Sequence, residues 1–244
     1  MRERASGDGR SLLRGEAIRK RFGGLTALGG IDFEIRPGEL VGLIGPNGSG
    51  KTTLFNVLTG LLRPTEGRVT VQGRDVSGWA PHRIAGLGVG RTFQVPAPFV
   101  KATVVENLMV AAGPNRAESL RRARWLLEAH DLDRMADEPA ESLDSGHLRL
   151  LEMARVMMRD PQVVLLDEPT SGVDPALLDR LLDHIRRMNE EGRAACIVAH
   201  DMRAIEGVCR RVVVLDRGTV IADGSFDRVR QDPAVVDAYL GTGA

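Results

Sequence analysis

The sequence predicts an α/β fold that is interrupted by a helical region, and three observations support this prediction. Apolar, strand-like runs alternate with helical patterns in the first and last thirds of the chain. The stretch between about Pro96 and Asp160 shows helical patterns and no convincing strand. A length of 244 residues, of which 43% are hydrophobic and 27% are charged, is ample for a sizeable core. The periodicity supports this architecture and no specific topology.

The first third of the chain predicts strands on either side of one helix. An almost purely apolar run ends at Ile44, and a helical pattern that Gly60 can terminate begins at Lys51. The stretch 1–14 is charged and contains Gly and Ser, so we expect a mobile tail before a domain that spans 15–244. The predicted strands cover 15–21, 30–36, 39–44 and 67–73, and the predicted helix covers 51–58.

The remainder of the chain predicts a helical insertion followed by buried strands. Within the insertion, placed at about 96–160, the helical segment 118–129 has a basic face with Arg121, Arg122 and Arg124, which we interpret as solvated. The apolar run Val163–Leu166 is typical of a parallel strand that is buried on both faces. Beyond it we predict a helix at 175–189, a buried strand at 195–199 and a hairpin that joins 212–215 to 219–222.

Composition argues against several classes of function. The chain has 33 Lys+Arg and 33 Asp+Glu, and this balance disfavours electrostatic binding of nucleic acid, as does an aromatic content of 4%. The two cysteines, Cys196 and Cys209, form no CxxC pair, which disfavours a structural zinc site or a disulfide scaffold. No apolar run approaches the roughly 18 residues of a membrane span, and the first ten residues lack the core of a signal peptide. We therefore expect a protein that is not exported by that route and does not span a membrane, although it can dock onto one.

A glycine-rich loop between the apolar strand and the following helix is the first motif with recognisable chemistry. Residues 45–52 fit the pattern G-x-x-x-x-G-K-[ST] at every fixed position, in the strand–loop–helix context that this pattern requires. Backbone N–H groups and the helix N-terminus point at an anion there, so we predict a phosphate cradle rather than an ordinary glycine-rich turn. Lys51 is expected to reach the β- and γ-phosphates of a nucleotide, and the Thr52 hydroxyl is expected to hold Mg²⁺. The predicted nucleotide-binding residues of the loop are Gly45, Pro46, Asn47, Gly48, Ser49, Gly50, Lys51, Thr52 and Thr53.

A second motif lies where the apolar run at 163–166 ends in two carboxylates. A buried carboxylate needs a partner, and Mg²⁺ is the obvious partner for Asp167. Glu168 follows directly, in a position to polarise a water for attack on a γ-phosphate. Taken alone, these two residues are better explained as an ordinary strand end. Together with the phosphate loop they predict a site of nucleotide hydrolysis.

These motifs resemble those of the ATP-binding-cassette ATPases, and the similarity extends from Phe22 to about Leu240. The resemblance implies a P-loop NTPase (RecA-like) core with an antiparallel β subdomain and an inserted α-helical subdomain. It also implies that the chain binds ATP and Mg²⁺ and hydrolyses ATP. A GTPase or a P-loop kinase would share the phosphate loop, but it would not need the further motifs of this series.

Four further elements carry the resemblance. Gln94, in the segment Arg91-Thr-Phe-Gln94, matches a glutamine that senses Mg²⁺ and the attacking water at the entrance to the helical subdomain. His200 matches a switch histidine that contacts the γ-phosphate, and Phe22 matches an aromatic residue that stacks on adenine. The segment Ser171-Gly-Val-Asp174 matches a loop that crosses a dimer interface. The implied catalytic residues are Glu168, His200 and Gln94, and the implied Mg²⁺ ligands are Thr52, Gln94 and Asp167.

One segment departs from the family pattern. The family signature typically reads Leu-Ser-x-Gly-Gln and opens a helix, whereas this chain reads Leu143-Asp144-Ser145-Gly146-His147. Leu143 and Gly146 fit the pattern, and the helix expected at 148–158 looks intact. Asp144 is a good helix N-cap. However, the resemblance implies that the signature faces a γ-phosphate bound by a second subunit, and a carboxylate there would oppose that anion.

Three segments resemble one subgroup of the family, namely the ATPases of bacterial importers for branched-chain amino acids, with urea and short-amide importers nearby. They are Arg91–Gln94, the segment that begins at Glu106 and the tail that begins at Asp237. The resemblance implies an ATPase subunit that powers a membrane importer for branched-chain amino acids or a similar small polar solute. The implied partners are integral-membrane permease subunits, a second ATPase subunit that is identical or paralogous, and an extracytoplasmic solute-binding protein, with no nucleic acid. The implied location is the cytoplasmic side of the cell membrane, as a peripheral subunit on its inner face.

Two alternative functions remain open from the sequence. A cassette ATPase without a membrane partner, as in DNA repair or translation, typically has coiled-coil insertions or tandem cassettes, and this sequence shows neither. A weakly hydrolysing regulatory cassette that pairs with an active paralogue is favoured by Asp144 and disfavoured by Glu168 and His200.

Overall fold

The computed structural model describes residues 11–200, 202 and 205–240, and within these the side chains of 175, 176 and 240 are not described. Most of the predicted N-terminal tail therefore lies outside the described residues. The first strand already begins at Leu13, so the last two residues of the predicted tail belong to the sheet instead.

Strands and helices alternate along the described chain. The strands are β1 (Leu13–Phe22), β2 (Leu25–Ile35), β3 (Leu40–Ile44), β4 (Glu66–Val71), β5 (Arg74–Asp75), β6 (Val89–Arg91), β7 (Val163–Asp167), β8 (Ala194–Ala199), β9 (Arg211–Asp216) and β10 (Thr219–Ser225). The helices are α1 (Lys51–Leu58), α2 (Pro81–Ala85), α3 (Val104–Met109), α4 (Arg116–Ala129), α5 (Ser145–Met157), α6 (Pro175–Glu190), α7 (Phe226–Val229) and α8 (Pro233–Leu240). Short 3₁₀ turns lie at Asp133–Met135 and Ala140–Ser142.

The central sheet brings the two predicted motifs to one edge. Among the described residues its strand order is β10-β9-β3-β8-β7-β6, with β10 antiparallel to β9 and the other neighbours parallel. Strands β3, β7 and β8 are buried on both faces, as their continuous apolar runs predict. Because β8 alone separates β3 from β7 in this order, the loop after β3 and the carboxylates that end β7 lie near each other.

The second sheet confirms the expected antiparallel subdomain, with the strand order β2-β1-β4-β5. One cluster of buried apolar residues joins this sheet to α1 and to one face of the central sheet; it includes Ile18, Phe33, Phe55, Leu43 and Leu165. The next residues along the central strands, Ile44 and Leu166, belong to the cluster on the other face, because successive strand residues point to opposite sides.

The middle of the chain is helical, as the sequence predicts. Helices α3, α4 and α5 contribute Leu108, Leu126 and Leu150 to the same buried cluster that covers the second face of the central sheet. Helix α3 begins with a capping box, in which the Thr103 side chain accepts from the Glu106 N–H and the Glu106 side chain accepts from the Thr103 N–H.

Several details differ from the sequence-based expectations. The segment 74–91 contains β5, α2 and β6, which the pattern does not predict. Helix α5 begins at Ser145 rather than Leu148. The basic face of α4 is only partly solvated: Arg121 and Arg124 are exposed, whereas Arg122 donates to the Met157 carbonyl at 2.7 Å and pairs with Asp160 at 3.3 Å.

In the described part of the chain, no helix combines the length and the apolar character needed to cross a bilayer.

Candidate nucleotide site

A cavity of about 580 Å³ opens at the edge of the central sheet where β3 and β7 end. Its wall combines the glycine-rich loop with the start of α1, the β1–β2 turn, and the side chains of Gln94 and Glu168. The lining residues are Phe22, Leu25, Thr26, Ala27, Asn47, Gly48, Gly50, Lys51, Thr52, Thr53, Gln94, Glu168, Arg217 and Gly218. The cavity thus brings together residues that the sequence assigns to phosphate, adenine and water.

The backbone of the loop requires glycine at two of its positions. Gly45 has φ 151° and Gly50 has φ 108°, in a region that side chains disfavour. A Cβ at Gly45 would lie 2.1 Å from the Leu215 carbonyl oxygen, and a Cβ at Gly50 would lie 2.9 Å from a Leu28 methyl group. The loop therefore lies tightly against β2 and β9, and Asn47, Gly48 and Gly50 of this loop line the cavity.

Lys51 lies under the loop, with its ammonium directed at the loop's own carbonyl groups. Nζ donates to the carbonyl oxygens of Gly45 at 2.7 Å and Pro46 at 2.9 Å. Burial lowers the pKa of Lys51, while the nearby carboxylates of Glu168 and Asp167 raise it. The loop thus holds a cation in the wall of the cavity, and a cation there favours an anionic ligand.

Asp167 is buried, and among the described residues only one of its two carboxylate oxygens has a hydrogen-bond partner. Oδ2 accepts from Arg91 Nη2 at 2.8 Å, whereas Oδ1 is buried without a hydrogen-bond partner among the described residues. The Asp167 N–H donates to the Thr92 hydroxyl at 3.1 Å. Burial raises the pKa of Asp167, and Arg91 opposes that rise.

Glu168 turns away from the strand direction to face the cavity. Its φ of 48° lies in the left-handed region, which is uncommon for residues other than glycine and frequent at functional positions. The Glu168 N–H donates to the Val198 carbonyl at 3.1 Å. Gln94 Nε2 donates to Glu168 Oε2 at 3.0 Å, so the two residues predicted to handle the attacking water are in direct contact.

The backbone around Gln94 is held by two charged residues of α5. Arg149 donates to the carbonyl oxygens of Phe93 at 3.1 Å, of Gln94 at 2.6 Å and of Ser171 at 3.3 Å. Glu152 accepts from the Phe93 N–H at 2.6 Å, and burial raises the pKa of Glu152. Helix α5, which begins at the signature segment, therefore forms hydrogen bonds with both the Gln94 loop and the loop after Glu168.

The oxygen atoms at this edge suit Mg²⁺, which prefers carboxylate, hydroxyl and carbonyl ligands. Thr52, Gln94 and Glu168 line the cavity. Asp167 comes directly before Glu168 in the chain, and its Oδ1 is buried without a hydrogen-bond partner among the described residues. An unpaired buried oxygen costs free energy, so a bound water or metal-bound water would satisfy it. The three residues predicted to hold Mg²⁺ therefore fit that group.

The altered signature forms a helix cap. Asp144 Oδ1 accepts from the His147 N–H at 2.9 Å, and Oδ2 accepts from His147 Nδ1 at 2.8 Å. Burial raises the pKa of Asp144, but the hydrogen bonds from His147 outweigh this and the net pKa is lowered. Leu143 and Gly146 are buried, and a Cβ at Gly146 would lie 2.4 Å from Leu177. The expected capping role of Asp144 is confirmed.

The remaining predicted site residues lie around the same edge. Phe22 is 45% exposed in the cavity wall, under Lys20 Nζ at 5.1 Å from the ring centroid. His200 is exposed directly after β8, and the residue that follows it lies outside the described residues. Ser171 donates its N–H to the Glu168 carbonyl at 3.1 Å, and the Asp174 carbonyl accepts from the first turns of α6.

The sequence reasoning missed several residues that shape the site. Arg91 is in the segment quoted for the resemblance, but nothing in the sequence indicates its contact with Asp167. Arg149 and Glu152 offered a signal, because charged residues three positions apart interrupt an otherwise apolar helix face. Arg217, which lines the cavity from the β9–β10 turn, carried no signal.

Known proteins resemble this chain over most of its length. The family described as "ABC transporter" matches residues 28–171, and a family described as "Branched-chain amino acid ATP-binding cassette transporter" matches 219–244. A "probable branched-chain amino acid transport ATP-binding protein LivG" of Archaeoglobus fulgidus is 36% identical over 94% of this chain and 95% of its own length. The "high-affinity branched-chain amino acid transport ATP-binding protein BraF" of Pseudomonas aeruginosa is 37% identical over 95% of this chain and 98% of its own.

A solved structure shows the same fold. It is the ADP conformation of an ATP-binding cassette of an ABC transporter, with a TM-score of 0.88 and 33% identity over 95% of this chain and 99% of that chain. These comparisons fit the transporter interpretation and neither of the two alternatives.

Proposed function

Because the chain belongs to the ABC transporter family of ATP-binding cassettes, we propose that it hydrolyses ATP to power a membrane importer for branched-chain amino acids. The relatives' names support this solute class, together with the C-terminal match at 219–244. The transport experiment below distinguishes branched-chain amino acids from other small polar solutes.

The observation that carries the ATPase assignment is the contact between Gln94 and Glu168 at the wall of the phosphate cavity. In the proposed reaction, Glu168 accepts a proton from water as the water oxygen bonds to the γ-phosphorus. The bond between that phosphorus and the bridging oxygen of ADP breaks, and inorganic phosphate and ADP result. Gln94 orients the carboxylate, and Lys51 balances charge on the β- and γ-phosphates.

The metal site is proposed on the same edge of the sheet. Thr52, Gln94 and Asp167 would hold Mg²⁺, which when bound supplies positive charge against the phosphate oxygens. Phe22 is proposed to stack on adenine, because it lines the cavity beside the β1–β2 turn. His200 is proposed to contact the γ-phosphate from the end of β8.

A second ATPase subunit is part of the proposal, because one chain does not bring its own signature to its own cavity. The signature helix and the loop after Glu168 are joined by a hydrogen bond, in which Ser145 Oγ donates to the Gly172 carbonyl at 3.0 Å. We propose that this combined surface meets the nucleotide of a facing subunit, with Ser171 and Asp174 at the interface.

An apolar groove beside the Gln94 loop is the proposed docking site for the permease. It has a volume of about 220 Å³ and is lined chiefly by Leu61, Pro81, Ile84, Ala85, Val89 and Phe93. Leu61 and Phe93 remain 46% and 49% exposed, so the groove presents two large apolar side chains at the surface. A peripheral subunit on the inner face of the membrane would cover them with a segment of the permease.

Replacing Leu61 by glutamate is expected to release the chain from the membrane fraction. A carboxylate in the groove would lose its water without gaining a partner, so we expect permease recovery to fall by roughly tenfold or more. The measurement is co-purification of the tagged chain with membranes. Leu120→Glu is the matched control, because Leu120 is 36% exposed on α4, outside the groove. Equal recovery of both variants with membranes would contradict the proposed docking surface.

Replacing Asp144 by serine is expected to strengthen ATP-dependent dimerisation. Two unit charges 4 Å apart repel by about 4 kcal/mol at an effective dielectric of about 20, and screening reduces this to roughly 1–2 kcal/mol, on the order of tenfold in closure. Serine caps a helix about as well as aspartate, so α5 should persist. The measurement is ATP-driven dimerisation of both forms by light scattering at several salt concentrations, together with turnover.

The control for this change is Asp133→Ser, which removes an exposed acid of the helical region away from the signature. In a heterodimer whose other subunit has serine at this position of its signature, the charge repulsion would be absent from the site at which this chain binds ATP. If Asp144→Ser dimerises no better than the unchanged chain, and added salt does not reduce any difference in dimerisation between the two forms, then Asp144 acts only as a helix cap.

The solute is tested with the assembled transporter. The chain is purified with the membrane subunits that accompany it, reconstituted in vesicles with MgATP inside, and supplied with its solute-binding protein. Uptake of leucine, isoleucine and valine is compared with uptake of urea and acetamide. Uptake of urea or acetamide in preference to the amino acids would overturn the proposed solute class.

A further inference from the structure

Arg91 holds the side chain of Asp167 from inside the protein. The two side chains are only 7% and 2% exposed, and Nη2 of Arg91 lies 2.8 Å from Oδ2 of Asp167. The other terminal nitrogen, Nη1, donates to Asn56 Oδ1 at 2.7 Å and to Thr59 Oγ1 at 3.0 Å, both on or next to α1. One planar guanidinium therefore joins the helix after the phosphate loop to the carboxylate at the end of β7.

Two aromatic rings restrict the guanidinium further. Its central carbon lies 5.6 Å from the centroid of Phe55 and 5.2 Å from that of Phe93, within cation–π range. The backbone contributes as well, because Arg91 pairs with Leu165 in the parallel register of β6 and β7. Strand pairing, hydrogen bonds and ring contacts thus fix the guanidinium in one position.

The consequence for Asp167 is an asymmetric carboxylate. Oδ2 is committed to Arg91, and Oδ1 is left without a partner among the described residues. We propose that Arg91 is a positioning residue that orients Asp167, so that Oδ1 faces the magnesium site of the bound nucleotide. This inference rests on the proposed function as an Mg²⁺-dependent ATPase, and it assigns a role to a residue outside the cavity lining.

The geometry favours orientation over simple charge balance. Asn56 and Thr59 occupy one end of the guanidinium fork while Asp167 occupies the other, so both ends are needed to set the angle of the carboxylate. A lysine ammonium could neutralise Asp167, but as a point charge it could not hold both ends. Arg91 also lines the apolar groove, so the residue that orients Asp167 forms part of the proposed permease surface.

The test measures how Mg²⁺ strengthens ATP binding, in a Glu168→Gln background that slows hydrolysis. ATP affinity is measured by calorimetry in EDTA and then at increasing concentrations of MgCl₂, and each variant is referred to its own affinity in EDTA. Loss of a residue that supports a metal ligand typically costs 10–100-fold in metal affinity. We therefore expect Arg91→Gln to raise the half-maximal Mg²⁺ concentration by about tenfold or more, and Arg91→Lys to show part of that shift.

Arg211→Gln is the matched control, because Arg211 is also partly buried and paired, with Asp223 at 2.7 Å and Glu39 at 3.1 Å, at the opposite end of the parallel strands. It should leave the Mg²⁺ titration unchanged. If Arg91→Gln does not fold, as judged by circular dichroism, then Arg91→Lys carries the comparison. An unchanged titration in the folded Arg91 variants, or an equal shift in Arg211→Gln, would overturn the inference. If Mg²⁺ does not strengthen ATP binding in the Glu168→Gln background itself, the proposed function fails instead.

Discussion

Replacing Glu168 by glutamine is expected to lower steady-state ATP turnover by roughly 10²–10⁴-fold, the range typical of a lost general base. Glutamine keeps the length and shape of the side chain and can still meet the amide of Gln94, which lies 3.0 Å from Glu168 Oε2. It cannot accept a proton from water at neutral pH. ATP should therefore bind while phosphate release nearly stops, and both quantities are measured on the same preparation.

Asp216 offers a control for this change, because it ends β9 at the same edge of the central sheet. Asp216→Asn removes a strand-end carboxylate without altering Gln94 or Glu168, so turnover should stay near that of the unchanged chain. Near-normal turnover in Glu168→Gln would mean that another group activates the water, and Glu168 would then be an ordinary strand-end residue.

Replacing Lys51 by alanine is expected to weaken ATP binding by roughly 10- to 100-fold, because a hydrogen bond to a charged group contributes about 1.5–3 kcal/mol. The ammonium is buried next to the loop and donates to the carbonyl oxygens of Gly45 and Pro46. Its loss removes the cation proposed to bind the β- and γ-phosphates, and it also removes two hydrogen bonds to the loop backbone. The measurement is ATP affinity by calorimetry, with and without Mg²⁺.

Lys101→Ala separates the effect of site from that of charge. Lys101 is exposed and pairs with Glu141 at 2.6 Å, on the surface of the helical region. Its loss changes the net charge of the chain by the same amount as the loss of Lys51, yet ATP affinity should not change. Unchanged affinity in a folded Lys51→Ala variant would contradict the phosphate-loop assignment.

The long periodic elements of the fold follow from the sequence, whereas the shortest ones do not. Strand β7 is recognisable because its consecutive apolar residues, two of them β-branched, are typical of a strand buried on both faces. Strand β6, three residues long, and helix α2, five residues long, offer too few positions for a period to emerge. Both nevertheless line the apolar groove, so the proposed docking surface is hidden from pattern analysis.

The helical region shows a similar division at the level of single residues. The capping potential of Asp144 is local, since it depends on an N–H three residues away, and the sequence predicts it correctly. The sequence pattern predicts that Arg122 belongs to a solvated basic face, but in the structure it forms a hydrogen bond with the Met157 carbonyl and an ion pair with Asp160. Helical spacing predicts the side of a helix, and the neighbouring helix decides which of its edge residues are covered.

By itself, the sequence determined the α/β class, the phosphate loop and the carboxylates after the buried strand, because each depends on residues that are adjacent in the chain. Only the tertiary structure decided that Gln94 meets Glu168, and that Arg91 takes one oxygen of Asp167 and leaves the other unpartnered. These partners are more than 70 positions apart in sequence. They meet because β6 and β7 pair in parallel, and the register of that pairing follows from burial of both strands in a core to which distant segments contribute.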